Sequence, residues 1–120
     1  MPLTTVVDYH TERSWHFLDL VDDEVERGEL EEASNKLWGA AAHAIKAAAE
    51  RRGWFHGSHN ALAETVMRLI DDDGAPPLLY TYYGLANSFH SRFYGWPPNA
   101  DGIHHGKGEM ANFIRMLESL

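Results

Sequence analysis

The sequence predicts an all-α protein, an antiparallel up-and-down bundle of four to five helices. Three observations lead there. Apolar residues recur at spacings of three and four through most of the chain, the period of a helix with one buried face. No stretch sustains the apolar–polar alternation of a strand flanked by turn residues. The segments between periodic stretches are short, which favours antiparallel neighbours. A chain of 120 residues fits one core, so the reading is a single domain over 1–120, with residues 1–10 loosely packed.

The first helix is expected to begin after Thr11 or Ser14, either of which can cap it. Leu18, Val21 and Val25 share one face, Asp19, Asp22, Asp23 and Glu26 line the other, and Gly28 ends it. The second helix should run from about Glu29 to Arg52. Its stripe of Leu30, Ala33, Leu37, Ala41, Ala44 and Ala48 is rich in small residues, so other helices can come close, and it reads as the central element. Gly53 closes it, after Arg51 and Arg52 in a last turn that favours cations.

Trp54-Phe55-His56-Gly57 reads as a connector and Ser58 as the cap of a third helix, with Leu62, Val66, Leu69 and Ile70 as its buried stripe. Asp71, Asp72 and Asp73 close that helix against its own dipole, so its end should fray or find cations. Pro76-Pro77 fits the first turn of a fourth helix. Its expected apolar stripe is Leu78, Tyr82, Leu85, Phe89 and Phe93, beside a mixed face of Tyr83, Asn87, His90 and Tyr94. Trp96-Pro97-Pro98 would stop it. The fifth helix is clear only from about Glu109 to Leu120, because Gly102, Gly106 and Gly108 weaken any start near Ile103.

Composition narrows the chemistry. The absence of cysteine excludes disulfides, thiolate zinc sites and cysteine nucleophiles. No apolar run reaches the roughly 20 residues of a membrane span, and the first residues lack a signal peptide's basic and apolar blocks. A cytoplasmic protein is therefore expected. The net charge of −8 resides in residues 1–32, which hold ten acids and two bases. Residues 33–59 instead carry Lys36, Lys46, Arg51 and Arg52 against Glu50 alone, with His43, His56 and His59 among them. An acidic chain is a poor non-specific binder of nucleic acid, but a local basic patch can hold a nucleotide or a short RNA segment.

The stretch Ala33–Ala47, followed by Arg52-Gly53-Trp54 and Ser58-His59, resembles the PaREP branch of the HEPN (higher-eukaryote and prokaryote nucleotide-binding) superfamily. Ile45-Lys46-Ala47-Ala48, Gly53 and His59 are similar to its helix–glycine–histidine pattern, and His90-Ser91-Arg92-Phe93-Tyr94 to a later element. The resemblance covers roughly residues 28–118. It implies an HEPN-like bundle that dimerises and associates with nucleotides or RNA. Many superfamily members pair with nucleotidyltransferases, or cut RNA without a metal using an arginine and a later histidine with four to six residues between them. Here the order at the family's position is His90 then Arg92. Arg51 with His56 and Arg52 with His59 have the spacing, but at the junction of the second and third helices.

The candidate ligand-binding residues are thus Lys36, His43, Lys46, Arg51, Arg52, His56, His59, His90 and Arg92, with no metal and no cofactor. Lys36, His43 and Glu50, seven residues apart, share a helix face. The alternative for that face is a solvated stripe, and for His59 and the arginines a capping role. His104 and His105 point about 100° apart on a helix, which disfavours joint metal binding. Trp54, Phe55 and Trp96 are either interface anchors or staples holding connectors to the bundle. Three functions compete: a homodimeric binder of a nucleotide or RNA segment, the protein partner of a nucleotidyltransferase or toxin–antitoxin system, and a metal-independent ribonuclease.

Overall fold

A computed structural model describes residues 5–90 and 98–120. Five α-helices are present among them, α1 (Val6–Glu26), α2 (Leu30–Glu50), α3 (His59–Asp71), α4 (Leu78–His90) and α5 (Ala100–Glu118), and no strand. None of these helices is long and apolar enough to cross a membrane. The expected Phe93, Tyr94 and Trp96-Pro97 features of the fourth helix lie outside the described residues.

α2 is the central helix and packs against all four others. Ten of its 21 residues are buried, eight of them alanine. A helix with so little side-chain volume can bring neighbours close on several faces at once. α1 lies antiparallel to it. His10 meets His43, Ser14 Oγ donates to the Ala40 carbonyl at 2.7 Å, and Lys36 reaches Glu24 at 2.9 Å. The turn between the two helices is Gly28 at φ +76°, a left-handed conformation that suits glycine. α5 completes the core with Met110, Phe113, Ile114 and Leu117, all fully buried.

Three expectations need correction. α1 starts at Val6, not after Thr11 or Ser14, because Thr5 and Asp8 form a reciprocal capping box. α5 starts at Ala100, nine residues before the expected Glu109. Asn99 caps it, accepting from the Gly102 amide at 2.7 Å, and close packing supplies what the glycines lack in propensity. Gly106 sits against the Phe89 ring and Leu37, where a side chain would not fit. The buried face of α4 is Leu79, Tyr83 and Ala86, while Leu78 is exposed and Tyr82, Leu85 and Phe89 are partly buried. The helix has turned its tyrosine toward Trp38 of α2. The aspartates ending α3 do find cations. Arg52 pairs with Asp73 at 2.5 Å, and Arg68 with Asp72 at 3.8 Å.

Candidate functional site: an aromatic and cationic pocket beside a histidine pair

Trp38, Ala42 and Lys46 follow one another at intervals of four on α2, so they share a face. That face forms one wall of a pocket of about 240 Å³. The connector residues His56, Gly57 and Ser58 and the first turns of α3, with His59 and Leu62, form the other. Ser58 Oγ accepts from the Ala61 amide at 3.1 Å and fixes the start of α3 at the pocket's edge. The Leu62 amide donates to the Ser58 carbonyl at 3.2 Å, while the His59 and Asn60 amides have no partner within the helix and so favour anions.

Two kinds of recognition surface meet here. One is flat. The Trp38 ring is nearly parallel to His59 and to His90, with centroids 5.1 and 4.9 Å away, and the two imidazoles are 5.6 Å apart. Both histidines are exposed, so the three rings form an accessible stacking surface. The other surface is cationic. Among the described residues, Lys46 makes no ion pair and no hydrogen bond, unlike the other candidate cations.

Behind Lys46 lies a second cluster. His10 of α1 and His43 of α2 approach Nδ1 to Nδ1 at 2.9 Å. One ring must present N–H and the other a lone pair. His56 stands edge-on to His10, centroids 5.4 Å apart, and its Nε2 is 2.7 Å from Glu50 Oε2. Tyr9 and Phe17 pack on His43, and the Arg13 guanidinium lies 4.5 Å from the centre of Phe17. Phe17 in turn rests on Gly39, where a Cβ would come within 2.8 Å of its ring. Burial, then His10, Lys46 and Arg13, push His43 down to about 4, so it is neutral at pH 7. His10 is also lowered, by burial first and then by His56 and Lys46, with Glu50 opposing.

The sequence-derived candidates therefore separate. Lys46, His56 and His59 line the pocket, and His90 stacks at its rim against Trp38. His43 sits in the adjoining cluster. Lys36 is ion-paired with the buried Glu24. Arg51 donates to the Leu117 carbonyl at 3.1 Å, and Arg52 caps α2 through the Ala48 carbonyl at 3.0 Å besides holding Asp73. Lys36, His43 and Glu50 share a helix face but serve three different partners. Arg92 lies outside the described residues. Trp54 is a staple, covered by Arg68 at 3.8 Å, whereas Phe55 is 76% exposed.

Trp38, His10 and Arg13 also take part and are not among the sequence-derived candidates. The spacing of Trp38 four and eight residues before Ala42 and Lys46 would have revealed the first. Nothing local signals the other two, because they reach the site through the pairing of α1 with α2. No group of three or more His, Asp or Glu among the described residues is placed to hold a metal ion.

Residues 9–100 match the archaeal PaREP1/PaREP8 family. No curated protein and no solved structure matches the chain.

Proposed function

The chain belongs to the archaeal PaREP1/PaREP8 family, and we propose that it binds a nucleotide or a short single-stranded RNA segment in the Trp38–Lys46 pocket. The observation that carries this reading is Lys46. Among the described residues it is a cation without a carboxylate partner, on an acidic protein, opening into the same pocket as the Trp38–His59 stack. An aromatic plane accepts any base by stacking, and a lysine beside a helix start accepts a phosphate. The resemblance to the HEPN superfamily points the same way. In this reading Lys36, Arg51 and Arg52 hold the fold, and Lys46, His56, His59 and His90 face the ligand.

Calorimetric titration with mononucleotides and short RNA oligomers at low salt tests it, with Trp38→Leu and Lys46→Met as variants. Wild-type binding should weaken with added salt by the modest slope of one or two phosphates, and both variants should weaken it further. No heat at millimolar ligand removes the proposal. The exposed Phe55 favours a second reading, an interaction module for a partner protein or a second copy of the chain. Native co-purification, with and without Phe55→Ser, decides that one. RNA cleavage in EDTA that His56→Ala abolishes would extend the first reading to catalysis.

A further inference from the structure

The pocket and the histidine pair are joined through two residues. Lys46 lines the pocket and lies close enough to His10 and His43 to act on both electrostatically. His56 also lines the pocket, and its ring abuts His10. The charges facing this cluster are unbalanced. α1 contributes Arg13 and the phenol of Tyr9, α2 contributes Lys46 and Glu50, and the connector contributes His56. Glu50, the one carboxylate facing it among the described residues, is already engaged by His56. Burial, and then two cations with little to offset them, keep protons off His10 and His43.

We propose that the His10–His43 pair takes up a proton when a phosphate-bearing ligand enters the Lys46 pocket, so that ligand affinity rises as pH falls. This rests on the nucleotide-binding reading and adds a regulatory property to it. A phosphate at Lys46 supplies the negative charge the cluster lacks. The uncharged pair has one ring donating through Nδ1–H, with its Nε2 free. A proton added at that Nε2 gives an imidazolium that still donates to its neutral neighbour, and the charge strengthens the bond. A second proton on the accepting ring would set N–H against N–H. The pair can therefore store one proton without coming apart, and uptake should not exceed about one.

The probe is d(ApA), whose single phosphodiester stays ionised from about pH 5.5 to 8, so any proton taken up belongs to the protein. Calorimetry in two buffers of different ionisation enthalpy counts the protons bound. Between about half and one proton per d(ApA) is expected near pH 6.5, with affinity rising about threefold to tenfold from pH 7.5 to 6. His10→Gln should cut the uptake by at least half. Ring-carbon NMR titrations of the wild-type histidines, with and without d(ApA), read the same event without a substitution; the midpoints for His10 and His43 should move upward on binding. Binding with no proton uptake and a flat pH profile overturns the coupling and leaves the nucleotide reading intact. Full uptake in His10→Gln with unmoved wild-type midpoints overturns the assignment to this cluster. No binding at all overturns both proposals.

Discussion

Acid should weaken the folded state through His43 in particular. In the folded protein its imidazole is pushed from the ordinary 6.5 down to about 4, chiefly by burial and then by His10, Lys46 and Arg13. The unfolded chain therefore binds more protons than the folded one between about pH 6.5 and 4, and stability falls with pH across that window. At about 1.4 kcal/mol per pH unit, the ceiling is about 3.5 kcal/mol. The ring is partly exposed, and solvent screening brings the expectation to about 1–2 kcal/mol. Urea unfolding at pH 7 and pH 4.5, for the wild type and His43→Gln, isolates the contribution. Losses common to both chains, from other carboxylates and histidines, cancel in the difference. The wild type should lose about 1–2 kcal/mol more than the variant over that interval. Equal losses in the two would show that His43 is not held neutral by its surroundings.

Other substitutions test the remaining structure. Lys36→Met strands the buried Glu24 carboxylate, one oxygen of which already lacks a partner, and should cost roughly 2–4 kcal/mol by urea unfolding. Adding Glu24→Leu should recover most of that loss. Phe113→Ala opens a cavity where a fully buried ring packs near Tyr82, and a loss of about 3–5 kcal/mol in the same assay is expected. Ser58→Ala removes the cap of α3 at the pocket's edge. It should cost about 1 kcal/mol in thermal unfolding and loosen the His59 side of the site.

What could be read from the sequence follows the range of the forces involved. α2 and α3 were legible because helical periodicity and their end signals, Gly53 and Ser58, agree. α5 was half hidden because its glycines lower propensity, and the packing of Gly106 against Phe89 and Leu37 that favours it is tertiary. The start of α1 escaped because the box pairs Thr5 with an aspartate, where glutamate or glutamine is the usual signature. In the site, Lys46, His56 and His59 could be grouped because they fall within fourteen residues of chain. The contact of His10 with His43 spans thirty-three positions, and no local pattern announces it. The partner of Lys36 is hidden for the same reason, since its carboxylate comes from a different helix.

The pairing of α1 with α2 has a consequence for motion. His10 and Arg13 reach the neighbourhood of the pocket only because the first arm of the hairpin is docked. A guest that needs both arms in place must disfavour every opening in which they part. Amide hydrogen exchange in the first turns of α1 should accordingly slow when d(ApA) is bound, far along the chain from Lys46, while exchange at the outer end of α5 keeps its pace.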